Sequence, residues 1–117
     1  MENNVNKNDD LPLEIEKSHI GNKTALYITG RIDTQTAPEF QEYMDGFFDE
    51  LDGDLVLDFS DVDYLSSAGL RAILYVQKRM KTLGDDGFNL SIVNVNPAVM
   101  EVFEMTGFTD VINVSAK

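Results

Sequence analysis

The chain has no cysteine, one histidine, and 9 basic residues against 21 acidic ones in a length of 117. Each scarcity removes a class of chemistry. Without cysteine there are no disulfides, no thiolate metal sites and no cysteine nucleophile, a composition suited to a reducing cytoplasm. The single histidine, His19, has no second histidine or cysteine with which to hold a metal, and it reads as a surface or edge residue. A formal net charge of -12 repels phosphate backbones and anionic lipid headgroups, which excludes nucleic acid and membrane surfaces as favoured partners. No apolar run is long enough to span a bilayer. Residues Met1 to Asp10 carry Glu2, Asp9 and Asp10 with no apolar stretch of the secretory kind. A soluble, cytoplasmic protein is expected.

What the chain does have is a globular share of apolar residues, 43%, in a length that suits one two-layer domain. Residues 1–10 hold too little apolar surface to offset their ordering entropy and read as a flexible acidic tail; the domain is expected over 11–117. Two strand-like segments, Leu13 to Ile20 and Thr24 to Gly30, flank Gly21 and Asn22, a pair suited to a tight antiparallel hairpin. Thr36 and Glu39 have the spacing of a capping box, and Ala37, Phe40, Met44, Phe47 and Leu51 then recur at helical spacing. Leu55 to Phe59 is a short, β-prone apolar run followed by a polar turn, which predicts a central strand covered on both faces.

A second helix is predicted from Ser67 to Leu83, with Ala72, Ile73, Val76, Met80 and Leu83 on one face and Gly84 as a stop. Leu90 to Val95 reads as a strand. Asn96 and Pro97 then cap and open a third helix whose Val99, Val102, Phe103 and Thr106 face inward before Gly107. Val111 to Val114 adds a last short strand. Strands linked through helices imply parallel pairing, so the fold class is α/β, with a mixed sheet and helices packed mainly on one face.

The most informative stretch runs from Asp58 to Arg71, leading from a buried strand through acidic residues into a helix that opens with Ser66, Ser67, Ala68 and Gly69. A serine at this position ordinarily caps the helix, accepting from an otherwise unpaired backbone N–H. The same position suits a phosphate, because unpaired N–H groups and the positive end of the helix dipole stabilise an anion. Gly69 allows close packing or an unhindered helix start. Leu70, Leu74 and Tyr75 lie beside the core stripe, and Arg71, Lys78 and Arg79 add positive charge; so short a list defines no patch, so they read first as ordinary helix flanks covered by neighbouring elements, with a docking surface next to the serines as the alternative. Asp58, Asp61 and Asp63 lack the glycine and bidentate glutamate of a calcium loop and read as a solvated turn. The five methionines mostly fall on helix faces that turn to the core and read as gap fillers, and no cofactor or metal is expected.

These residues resemble the STAS domain of bacterial anti-sigma-factor antagonists, over about Leu13 to Val114. The resemblance is carried by Tyr27-Ile28-Thr29-Gly30-Arg31-Ile32-Asp33, by Asp58 to Leu70, and by the borders of the third helix, Asn96-Pro97-Ala98-Val99 and Met105-Thr106-Gly107-Phe108. It implies a four-helix, mixed-sheet α/β fold. It also implies a partner switch: the unphosphorylated protein binds an anti-sigma factor that is a serine kinase, phosphorylation weakens the complex, and a serine phosphatase resets it. By position, Ser67 matches the phosphorylated serine, with Ser66 the alternative. Asp33 matches the family's acidic residue near it, and Asp33, Ser66, Ser67, Gly69, Leu70 and Arg71 form the candidate partner surface. Two departures stand out: Ser66 where an aspartate is frequent, and Ala68 where a second hydroxyl residue often follows.

Two other readings compete with the non-enzymatic switch. A STAS subunit of another assembly, such as a lipid transporter or a different phosphorelay, would share the fold with an altered serine motif. An enzyme using Ser66 or Ser67 as nucleophile would need a base and an oxyanion site, and the chain has neither a G-x-S-x-G elbow nor a histidine near the serines in sequence.

Overall fold

The computed structural model describes residues 13–117; the expected tail at 1–10 lies outside them. Strand β1 (Glu14–Ile20) turns at Gly21, whose φ of +64° is the left-handed conformation that glycine takes without steric cost, into β2 (Lys23–Ile32). The two pair antiparallel from Glu14 opposite Thr29 to Ile20 opposite Lys23. Helix α1 (Ala37–Phe47) passes into a short 3-10 turn (Phe48–Glu50) and returns the chain to β3 (Leu55–Leu65). Helix α2 (Ser67–Met80) leads to β4 (Leu90–Val95). Helix α3 (Pro97–Met105) and a second 3-10 turn (Phe108–Asp110) lead to β5 (Asn113–Ala116).

The sheet order follows the chain, β1-β2-β3-β4-β5, and every pair after the first is parallel. Its two faces differ. Leu26 and Ile28 of β2, Leu55, Leu57 and Phe59 of β3, and Leu90 and Ile92 of β4 are buried. They pack with Phe40, Met44 and Phe47 of α1, Ile73, Val76 and Met80 of α2, and Val99 and Phe103 of α3. Burying an aliphatic or aromatic side chain of this size contributes about 1.5–3 kcal/mol, so this single layer of contacts holds the helices to one face. On the other face Tyr27 and Thr29 are exposed, and Val56, Asp58 and Val93 are only half-buried. The expectation that β3 is covered on both faces is thereby corrected.

The largest departure from the sequence reading is the length of β3. The residues after Phe59, whose composition reads as a polar turn, continue as strand, because β2 is itself long and keeps pairing: Thr29 with Asp61, Gly30 with Val62, Arg31 with Tyr64, Ile32 with Leu65. Two register shifts, at Tyr27/Thr29 and Gly30/Arg31, each place an extra residue in β3. Each extra residue reverses the alternation, so Val62 and Leu65 are buried after Leu55, Leu57 and Phe59.

Smaller corrections concern ends and faces. Helix α2 stops at Met80 rather than Leu83. Thr106 is exposed, its hydroxyl turned back to the Val102 carbonyl at 2.7 Å. The last strand starts at Asn113 rather than Val111. Among the described residues there are three α-helices, not the four that the family resemblance implied. Asn96 caps α3 as expected, its side chain accepting from the Val99 N–H at 2.9 Å. Its amide also donates to the Val62 carbonyl at 2.7 Å, tying α3 to the extended part of β3.

Candidate functional site

The end of β2 and the start of α2 meet at one edge of the fold. The Ser66 N–H donates to the Ile32 carbonyl at 2.9 Å, and Ser66 takes the extended backbone of a helix cap (φ -93°, ψ 175°), its oxygen accepting from the Gly69 N–H at 3.2 Å. One of the orphan donors of the first turn is thereby satisfied. Ser67 is the first residue inside the helix and is exposed. The two serines therefore have different situations: the Ser66 oxygen is engaged, whereas the Ser67 hydroxyl enters no side-chain hydrogen bond among the described residues.

Gly69 explains how the helix comes so close. A Cβ built there would stand 2.7 Å from the Ile32 carbonyl oxygen, 2.7 Å from Leu65 Cδ1 and 2.8 Å from Ile32 Cγ2. Any side chain would push α2 off the end of β2. Gly69 and Leu70 are both buried, so they shape the site from beneath. Leu70 is a covered flank of α2 rather than exposed apolar surface, and Tyr75 is only half-exposed, its hydroxyl donating to Asp45.

Asp33 follows β2 directly and is organised by a reciprocal arrangement with Thr36. The Asp33 carboxylate accepts from the Thr36 and Gln35 N–H groups, both at 3.0 Å, while the Asp33 N–H donates to the Thr36 hydroxyl at 2.9 Å. The Asp33 carbonyl already accepts from the Ala37 N–H at 2.8 Å. The expected box between Thr36 and Glu39 does not form. Thr36 has helical backbone angles (φ -92°, ψ -19°) and makes no side-chain cap bond, because a capping residue needs extended geometry. The box exists three residues earlier, with Asp33 as its acid.

These bonds set the charge of Asp33. The Thr36 N–H holds its carboxyl below the ordinary range; partial burial opposes this, and Gln35, Arg31 and the Thr36 hydroxyl reinforce it. Arg31 Nε lies 3.4 Å from the Asp33 carboxylate, and the Arg31 guanidinium sits 4.5 Å from the centre of the Tyr64 ring. Tyr64 is 44% exposed. Neither Arg31 nor Tyr64 was singled out from the sequence. The signal that would have found them is the register of β2 against β3, where the two are partners, and the bulges hide it.

Arg71, one helical turn beyond Ser67, lines an open groove of about 510 Å³ between α1 and α2, with Thr34, Pro38, Glu42 and Asp45 on the opposite wall. Asp33, Ser66, Ser67 and Arg71 are thus gathered about the junction of β2, α1 and α2. The acids Asp58, Asp61 and Asp63 are spread along β3 instead. Burial pushes the Asp58 carboxyl up, but hydrogen bonds from Ser60 and Asn94, with the charge of Lys117, outweigh it and leave the group below its ordinary range. No group of three His, Cys, Asp or Glu side chains among the described residues is placed to hold a metal ion. No helix among them is long and apolar enough to cross a membrane.

Comparison with known proteins places this geometry in a family context. The STAS domain family model matches residues 14–117. The chain is 30% identical over 96 residues to the anti-sigma-B factor antagonist of Bacillus subtilis, covering 82% of this chain and 84% of that one. An anti-sigma factor antagonist from Mycobacterium paratuberculosis superposes with a TM-score of 0.78 at 21% identity, over 90% of this chain and 86% of that one. The phosphorylated form of the Bacillus cell fate determinant SpoIIAA superposes with a TM-score of 0.64 at 13% identity, over 90% and 92% of the two chains.

Proposed function

Since this chain belongs to the STAS domain family, we propose that it is a cytoplasmic, non-enzymatic anti-sigma-factor antagonist, a partner switch controlled by phosphorylation of Ser67. With Ser67 unmodified it binds an anti-sigma factor that is also a serine kinase and so frees the sigma factor. The kinase passes the γ-phosphoryl group of ATP to Ser67 Oγ, the hydroxyl proton and ADP leave, and the complex weakens. A serine phosphatase hydrolyses the ester and resets the switch.

The observation that carries this reading is the difference between the two serines: Ser66 serves as the cap while Ser67 stands exposed at the first helical position. A phosphate on Ser67 adds about 1.5 to 2 negative charges without removing the cap. Against a partner anion about 6 Å away, at an effective dielectric of about 20, each unit pair costs about 3 kcal/mol, on the order of a hundredfold in affinity. Asp33 and Arg71 border the same surface and would contact the partner.

The geometry gives little support to a serine hydrolase. His19 is paired with Thr24 at the opposite end of the sheet, eight residues along β2 from the Ile32 carbonyl that Ser66 contacts. At ~3.3 Å per residue that separation is roughly 26 Å, far beyond the reach of a general base.

The proposal is tested by the affinity of Ser67→Ala and Ser67→Asp variants for a cognate kinase-type anti-sigma factor, measured by calorimetry. The alanine variant should bind as the unmodified chain does, and the aspartate variant at least about tenfold more weakly. Equal affinities would overturn the charge mechanism.

A further inference from the structure

The chain has three arginines, and two of them are committed. Arg31 lies against Asp33 and the Tyr64 ring. Arg79 lies against Asp45 at 3.8 Å, donates to the Tyr75 hydroxyl at 3.3 Å, and stacks 4.5 Å from the Phe48 ring centre. Arg71 is exposed, on the wall of the α1–α2 groove, and has no ion-pair partner among the described residues. It stands four residues after Ser67 in the same helix. Side chains at that spacing are neighbours, about 5–6 Å apart at Cβ. Helical side chains also lean toward the N-terminus, which puts Ser67 within reach of the Arg71 side chain.

We propose that Arg71 is the internal counter-ion of phosphoserine 67: on modification its guanidinium leaves the groove wall and pairs with the phosphate one turn back. This rests on the reading of Ser67 as the phosphorylated residue and deepens it. A guanidinium matches phosphate oxygens with paired, charge-assisted hydrogen bonds. In the unmodified chain the acids across the groove are Glu42 and Asp45 of α1. Asp45 already accepts from the Tyr75 hydroxyl and lies near Arg79, so a dianionic phosphate is the stronger competitor for Arg71. Phosphorylation then changes the surface twice, adding an anion at Ser67 and withdrawing a cation from the groove.

The test installs phosphoserine at position 67 through an expanded genetic code, so that no kinase is needed, and follows the second ionisation of the phosphate by phosphorus-31 NMR. The pKa should be lower in the parent chain than in the Arg71→Gln variant by about 0.3 of a pH unit or more, the shift equivalent to an exposed (i, i+4) ion pair. Lys78→Gln, which removes an equal charge farther along α2, should leave the titration unchanged. An Arg71→Gln titration matching the parent, or a Lys78→Gln shift as large as that of Arg71→Gln, overturns the pairing. Failure of the switch itself would appear separately, as equal partner affinity of the phosphorylated and unphosphorylated chains.

Discussion

The Ser66 N–H and the Ile32 carbonyl are joined at 2.9 Å, and that one bond sets the first turn of α2 against the end of β2. Ile32 precedes Asp33, so the acid and the serine pair are held together by strand geometry rather than by contact between their side chains. Gly69 is the residue that permits it.

Gly69→Ala should therefore destabilise the fold by about 1–3 kcal/mol, the range for overpacking a close contact, since one of the atoms it meets is a backbone carbonyl that cannot rotate away. Gly46 in α1 is the matched control. A Cβ there meets nothing within 4 Å, and Gly46→Ala should stabilise by up to about 1 kcal/mol through helix propensity. Urea unfolding of both variants checks the pair; loss of stability in both would contradict the assignment of Gly69 to a close approach.

Ser66→Ala removes the acceptor of the Gly69 N–H and should cost about 0.5–2 kcal/mol in urea unfolding. Ser67→Ala removes no such bond and should change stability by less than about 0.5 kcal/mol, as for an ordinary surface position. Equal costs would mean that both hydroxyls cap the helix.

The depressed Asp33 carboxyl makes an acid-side prediction. A group whose folded pKa lies below its unfolded value contributes stability above the unfolded pKa, and that contribution is lost as pH falls through the folded one. The stability advantage of the parent over Asp33→Asn should be full at neutral pH and shrink progressively as pH falls below about 5. Chemical unfolding across that range checks it. A pH-independent difference would mean that the carboxylate charge does not contribute and that only its hydrogen-bond geometry matters.

Much of this fold is legible in local pattern. Gly21 and Asn22 between two strand-like runs, Asn96-Pro97 before a helical stripe, and the apolar run at Leu90 to Val95 each name their element through a turn, a cap or a period. The misreadings arise where distant pairing overrides local pattern. Ser60 to Tyr64 reads as a polar turn because its two bulges break the alternation, yet β2 holds it as strand. Thr36 reads as a cap because its spacing to Glu39 is right, yet Asp33 three residues earlier takes the reciprocal bonds. At the candidate site, Ser66 and Ser67 stand out by their place at a helix start and Asp33 by the family resemblance. Arg31 and Tyr64 do not, because their stacking depends on the register of β2 against β3.

In the proposed switch Ser67, and not the capping Ser66, accepts the phosphate. The most direct measurement incubates the purified chain with a cognate kinase-type anti-sigma factor and ATP and maps the added phosphate by fragmentation mass spectrometry. A single phosphate should appear on Ser67, absent in Ser67→Ala and retained in Ser66→Ala. Phosphate on Ser66 or elsewhere, or stable binding to the kinase with no modification, would contradict it.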